Sequence, residues 1–289
     1  MTDYILRDGY AGVKRMCNSD WKGDHAGSAI REFAANSLRF LLGRCELVEL
    51  VSRVPGKQYF SFRNDNAVAR PANKRQFIAD IVEYMQLQQY WFDGSISAQD
   101  RERLIYTTAL APCLAMEVFD RQNKKGPATY FECYVGHLFA SSFGVNPTRR
   151  ARLRVHDRDV LMTMDFLFDT GDQYRNIHLP VKMSTRERVV QAWSHQRLLD
   201  SGYGDHGYRG VMVAFSETKL DSRNLEVVEI CVPDQWLAYQ TLLAQMDRIY
   251  YFDVPERYRV LTTEYPGVIT IKPFDEFFTE TERQAVLRL

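Results

Sequence analysis

The most constraining stretch of this chain is Ile177-His178-Leu179-Pro180-Val181-Lys182-Met183-Ser184-Thr185-Arg186-Glu187-Arg188. Leu179, Val181 and Met183 alternate with other side chains, the period-2 pattern of a half-buried strand. Ser184 or Thr185 can then cap a helix, with Glu187 at capping-box distance from Ser184. Apolar residues continue at helical spacing through Val189, Val190, Ala192, Trp193, Leu198 and Leu199. A strand therefore ends in a lysine, and a helix opens on Arg-Glu-Arg with very little chain between them. That sets an ammonium, two guanidinium groups and a carboxylate at one end of a strand, an arrangement suited to phosphate oxygens and base edges.

The rest of the chain is compatible with one large α/β protein. Its 289 residues can bury a substantial core. Thirty-seven basic and thirty-seven acidic side chains cancel, which counts against a protein that coats nucleic acid without selectivity and leaves room for a locally basic cleft. Five cysteines, Cys17, Cys45, Cys113, Cys133 and Cys231, fall in no CxxC or Cys/His ligand spacing, so free and mostly buried thiols in a reducing cytoplasm are expected. The opening Met1-Thr2-Asp3-Tyr4 lacks the basic-then-apolar order of a secretory signal. No window reaches the apolar length of a membrane span.

Periodicity divides the chain into a mainly helical region over 1–125 and a mixed region over 126–289, read together as one domain. Residues 1–26, polar and glycine-rich, are expected as an arm or loop. Helices are expected over Ala26–Val54, Lys74–Phe92 and Ala98–Phe119, with Pro55-Gly56 as a stop and a short strand at Tyr59–Phe62. The run Tyr90-Trp91-Phe92 is read as core packing. After the break Gln122–Pro127 a helix is expected over Ala128–Phe143. Strands follow at Arg152–His156, Val160–Phe168, Ile177–Met183, Gly210–Phe215, Val227–Val232 and Val268–Ile271. Helices are expected over Asp234–Asp247 and Phe274–Leu287. Helices first, then strands mixed with helices, suggest a helical region joined to an α/β core.

Lys182, then three residues, then Arg186-Glu187-Arg188, resembles the CC·GG-reading branch of the PD-(D/E)XK superfamily, the type II restriction endonucleases in which a lysine precedes an R-(D/E)-R triplet. The resemblance implies a mixed β-sheet flanked by helices and Mg²⁺-dependent hydrolysis of phosphodiester bonds in double-stranded DNA at a CC·GG-containing site. It also implies a homodimer, with a tetramer as the other assembly of this branch. By the same resemblance Asp165 is the metal-binding aspartate and Lys182 the catalytic lysine. The physical logic of the triplet is that an arginine fork pairs with guanine O6 and N7, while a carboxylate accepts from cytosine N4. Arg186, Glu187 and Arg188 are thus the candidate DNA-reading residues.

The remaining site residues are less determined by the pattern. Asp165 stands in the apolar run Leu161–Phe168, where an ionised carboxylate is expensive unless paired or on a metal; Asp159 and Asp169 are substitutes. The acidic residue usual two places before the lysine is replaced by Pro180. In the branch that carboxylate is commonly displaced onto the following helix, where this chain has His195 and Gln196. The second metal-site group is therefore Glu132, on the helix after the break, or a neutral side chain at His195 or Gln196. Arg149, Arg150, Arg152 and Arg154 form the densest basic cluster and are candidates for phosphate contact. Two other readings stay open: a PD-(D/E)XK nuclease of repair or recombination without base specificity, and a DNA-binding protein whose catalytic site has decayed.

Overall fold

The computed structural model describes residues 2–279 apart from 66, 121, 124, 172–174, 186–188 and 205–206, with the backbone alone for residues 2–5. In chain order its elements are α1 (Thr2–Ser19), α2 (Asp24–Arg44), β1 (Glu46–Ser52), β2 (Tyr59–Asn64), β3 (Ala67–Val68), β4 (Ala72–Asn73), α3 (Ile81–Phe92), α4 (Ala98–Phe119) and α5 (Gly126–Phe143). There follow β5 (Thr148–Val155), β6 (Arg158–Phe168), β7 (Asn176–Leu179), β8 (Val181–Lys182), α6 (Val189–Tyr203), β9 (Tyr208–Ala214), β10 (Thr218–Asp221) and β11 (Glu226–Glu229). Last come α7 (Pro233–Leu242), β12 (Met246–Tyr251), α8 (Glu256–Glu264), β13 (Ile271–Pro273) and a 3₁₀ turn at Phe274–Phe278. Two compact units result: Met1–His137 with Thr218–Glu229, and Leu138–Glu217 with Ile230–Leu289. The boundary falls inside α5, twelve residues past the break at which periodicity alone divides the chain.

The first unit packs α1, α2 and α4 together beside a six-stranded sheet of order β10-β11-β1-β2-β3, with β4 also on β2. Its opening is a helix and not an arm. Gly9 and Gly12, which suggest a loop in the sequence, lie within α1. A Cβ on Gly9 would stand 2.6 Å from the Phe33 ring of α2, so this glycine permits close helix approach. The expected helix Ala26–Val54 ends instead at Arg44, and Glu46–Ser52 pairs antiparallel with Tyr59–Asn64 as strand. Val48 and Leu50 alternate inward there; the leucines that extend α2's pattern across the join hide the change of period. The aromatic run ending α3 is also corrected: Tyr90 is 37% and Phe92 59% exposed, and Phe92 lies under the Arg31 guanidinium at 4.6 Å.

The second unit is built on a seven-stranded mixed sheet, β13-β12-β9-β7-β6-β5, with β8 also on β9. One face is covered by α6, α7 and α8 through Trp193, Trp236, Tyr251 and Tyr258, all fully buried. A smaller cluster joins Leu199 of α6 to Ala151, Leu153, Met164 and Leu167. Phe139 and Phe143, at the end of α5, pack with Phe168 and Phe277. The expected helix Asp234–Asp247 stops at Leu242, and Met246–Tyr251 becomes a parallel strand beside β9. Of the expected helix Phe274–Leu287, the described part is the 3₁₀ turn. Among the described residues no helix is long and apolar enough to cross a membrane.

The two glycines of α1 give a test with opposite signs. Gly9→Ala must push the Phe33 ring aside and is expected to destabilise by about 1–3 kcal/mol, the range for overpacking. Gly12→Ala meets nothing within 4 Å and should stabilise by about 0.5–1 kcal/mol through helix propensity. Urea unfolding of both variants checks the pair; a shift of the same sign in both would remove the packing role of Gly9.

Candidate active site

The site begins with a break in strand registry. Thr148 pairs with Leu167 and Arg150 with Thr163, leaving one residue, Arg149, opposite three, Met164, Asp165 and Phe166. Such a bulge kinks the strand and re-aims a side chain. Met164 stays in the α6-facing cluster while Phe166 packs with Phe168, so Asp165 sits at the kink, its side chain 20% exposed. The Arg149 guanidinium braces the kink: Nε donates to the Asp165 carbonyl at 3.0 Å, and the group lies 5.2 Å over the Phe166 ring.

Asp165 meets Lys182 because β6 pairs with β7, Phe166 opposite Leu179. Pro180 interrupts the strand without shifting it, since His178 pairs with Gly210 before the proline and Val181 with Val213 after it. Lys182 Nζ donates to Asp165 Oδ2 at 2.8 Å, and the Val181 N–H donates to the same oxygen at 3.0 Å. The other carboxylate oxygen, Oδ1, accepts no hydrogen bond from a described residue. Asp159 pairs with Arg154 at 3.2 Å on the exposed ribbon, and Asp169 accepts from the Gly171 N–H. Neither competes with Asp165 for the lysine.

Of the two helix positions considered for the missing carboxylate, His195 is the one that bears on this pair. Burial pulls its imidazole below the ordinary value, Asp165 opposes that and Lys182 adds to it, which keeps a neutral ring beside the ion pair. Gln196 is 2% exposed and its amide is fully used. Nε2 donates to Asp200 Oδ1 at 2.8 Å and to the Tyr208 carbonyl at 2.7 Å, while Oε1 faces His178 Nδ1 at 2.9 Å. The candidate ligand Gln196 is thus a structural amide. Gly210 makes room for it, because a Cβ there would meet Gln196 Oε1 at 2.8 Å.

Those bonds also assign a proton. With the Gln196 NH₂ committed to two acceptors, its oxygen must accept, so His178 Nδ1 carries the hydrogen. His178 Nε2 then presents a lone pair, buried and without a hydrogen-bond partner among the described residues. Its ring centre is 6.3 Å from that of His195. Burial is the main reason that the His178 pKa falls from 6.5 to about 4.

Glu132 lies in the first unit, where its charge acts on Tyr10 of α1. Arg186, Glu187 and Arg188 lie outside the described residues. Two side chains that pattern reading passes over are placed beside the motif. His178 hides as one polar residue in an apolar strand. Glu217, a lone acid after the apolar strand β9, is 1% exposed and accepts from Ser184, Thr185 and Tyr251; a buried glutamate between a strand and a polar turn has no signature in sequence.

Among the described residues no group of three or more His, Cys, Asp or Glu side chains is arranged to hold a metal. The carboxylate oxygen left open, Asp165 Oδ1, is the kind of donor that fits Mg²⁺, which keeps several waters and is commonly held through one or two carboxylates plus substrate phosphate.

No family model matches the sequence, and no curated protein matches it. The fold is shared with a solved structure, the Type IIP restriction endonuclease Kpn2I, at a TM-score of 0.79 over 96% of each chain and 23% identity. A second structure, the restriction endonuclease PspGI–substrate DNA complex, aligns over 71% of this chain and 80% of its own at 16% identity and a TM-score of 0.38.

The neutral state of His178 makes stability depend on pH. An unfolded histidine takes up a proton near 6.5, whereas the folded one resists until about 4. The contribution is therefore whole above the unfolded value and lost as pH falls through the folded one, by roughly 3 kcal/mol across the window. Urea unfolding at pH 7 and pH 4.5 should show a smaller loss in His178→Gln than in the unsubstituted protein; equal losses would mean that the imidazole does not resist protonation. The mixed sheet flanked by helices that carries the bulge and the half-buried Asp165–Lys182 pair is the fold of Kpn2I.

Proposed function

We propose that this protein is a Mg²⁺-dependent type II restriction endonuclease that cuts double-stranded DNA at a site containing CC·GG, acting as a homodimer. The observation that carries the reading is the 2.8 Å pair between Asp165 on β6 and Lys182 on β8, since the lysine is also the first residue of the K-x₃-R-E-R pattern. Fold likeness to Kpn2I over nearly the whole chain supports it. A dimer follows from the symmetry of palindromic sites, which mirror a protein two-fold.

In this reading Asp165, through Oδ1, and the His195 imidazole, directly or through water, are the groups that would hold Mg²⁺. When bound, the ion supplies Lewis-acid stabilisation of charge at the phosphoryl oxygens. Lys182, steadied by Asp165 Oδ2, orients the attacking water or neutralises charge developing on the scissile phosphate. Gln196 and His178 hold α6 against the sheet behind His195. Arg186 and Arg188 read guanines in the major groove, and Glu187 accepts from cytosine N4 groups.

Incubation of plasmid DNA with protein and Mg²⁺ tests this directly. Discrete fragments whose ends map to one sequence are expected; a smear would mean a non-specific nuclease, and shifted but intact DNA a binding protein. Lys182→Ala and Asp165→Asn should each lose cleavage by about 10²-fold or more, as for a charge-stabilising group. Lys182→Ala should retain specific binding, and normal cutting by either variant would displace it from the centre. Glu187→Ala should lose discrimination at C·G pairs, by about 1–3 kcal/mol per base contact, while binding to random duplex holds or rises because a negative charge is gone. An unchanged specificity ratio would remove the CC·GG assignment.

A further inference from the structure

The strand that ends at Lys182 does not stop being held there. Parallel pairing of β8 with β9 is continued by two backbone bonds, Phe215 N–H to the Lys182 carbonyl at 2.9 Å and Ser216 N–H to the Met183 carbonyl at 3.3 Å. At the next step a side chain takes over. The Glu217 carboxylate accepts from the Thr185 N–H at 3.0 Å, the Thr185 hydroxyl at 2.7 Å, the Ser184 hydroxyl at 3.1 Å and the Tyr251 hydroxyl at 2.8 Å. Thr185 and Glu217 are each 1% exposed, and Tyr251 is fully buried. Burial holds the carboxyl pKa above its ordinary value while all four donors pull it down, and three of the four come from the segment it grips.

We infer that Glu217 is a positioning residue which fixes the backbone between Lys182 and the Arg186-Glu187-Arg188 triplet, so that base recognition and cleavage are held in one register. The inference rests on the nuclease reading above. It assigns Glu217 no contact with DNA or metal. The reason a carboxylate is needed is stoichiometric: four donors converge, and only an ionised carboxylate offers acceptors to all of them. The next residue after Thr185 is Arg186, so slack at Thr185 passes directly into the triplet, whereas β8 keeps Lys182 in place on its own.

The test uses Glu217→Gln in the full chain, which preserves shape but sets an NH₂ group among donors. Three quantities are read: exchange of the Thr185 amide hydrogen with solvent, the ratio of cleavage at the cognate site to cleavage at a site with one C·G pair changed, and affinity for random duplex. Faster Thr185 exchange is expected, with the cleavage ratio down by about tenfold or more, since small misplacements of reacting groups carry large rate penalties. Random-duplex affinity should stay within about twofold, as phosphate contacts set it. Tyr251→Phe, which removes one donor and leaves the carboxylate, should move exchange and ratio in the same direction by less, and Glu217→Asp should recover part of the ratio. A merely structural role would lower the folded fraction and leave the ratio intact. Unchanged exchange, or faster exchange with an unchanged ratio, overturns the inference. If the unsubstituted protein cuts no DNA, the nuclease reading fails and takes the coupling with it, whereas the exchange result still reports whether Glu217 grips Thr185.

Discussion

Everything in the second unit is arranged so that a carboxylate and an ammonium can share a half-buried position without either being left unpaired. Removing a charge from water is costly unless a partner and hydrogen bonds replace the lost solvent. Asp165 stands in a run of apolar residues that would otherwise exclude it. The bulge in β6 lifts it out of the alternation, Arg149 takes up its carbonyl, and the Val181 N–H with the Lys182 ammonium satisfies one oxygen. The other oxygen remains available.

The helix behind the pair is held by a second polar device of a different kind, centred on a neutral amide. Gln196 ties α6 to His178 on β7 and to the Tyr208 carbonyl on β9. Because its amide has one orientation that satisfies all three partners, it also selects the His178 tautomer. Neutral groups can be buried completely at modest cost when every donor is matched. A carboxylate at Gln196 would set a second acceptor against the Asp200 carboxylate and the Tyr208 carbonyl, which the amide NH₂ now satisfies. This chain places the amide there and leaves His195, one residue earlier and half-buried, beside the ion pair.

How far this was legible in sequence varies with the kind of interaction. Lys182 and Asp165 could be found because each breaks a regular pattern, one ending an alternating strand and the other interrupting an apolar one. Strands β6, β7 and β9 and helices α4 and α5 carry periodicities strong enough to survive without context. The opening helix did not, since Gly9 and Gly12 speak for a loop locally and only Phe33, across the packed interface, explains the first of them. The α2–β1 join failed because Leu38, Leu41, Leu42 and Leu47 continue a helical spacing past the point where the backbone turns extended at Cys45. Gln196 as a ligand and Glu217 as an unremarked acid share one cause: the partners that define their roles lie far away in the chain, 18 residues for His178 and 32 for Thr185. Long-range hydrogen bonding between single polar residues leaves no period to detect.

The thin donor set has a consequence for how the proposed site would work. Asp165 offers one free oxygen, and Lys182 stands 2.8 Å from the other, so the local charge balance of the pair is near zero. Such a centre attracts a divalent cation weakly by itself. In the proposed function a DNA phosphate would change the balance, because it would bring negative oxygens to both the cation and the lysine. Affinities that depend on a shared third party are reciprocal by linkage: DNA must strengthen cation binding by the factor by which the cation strengthens DNA binding. An ion pair that is nearly neutral alone is therefore suited to chemistry that begins only when substrate is present. The same reasoning favours a neutral imidazole over a second carboxylate at His195, since added negative charge would hold a cation before the phosphate arrives and would oppose the phosphate itself.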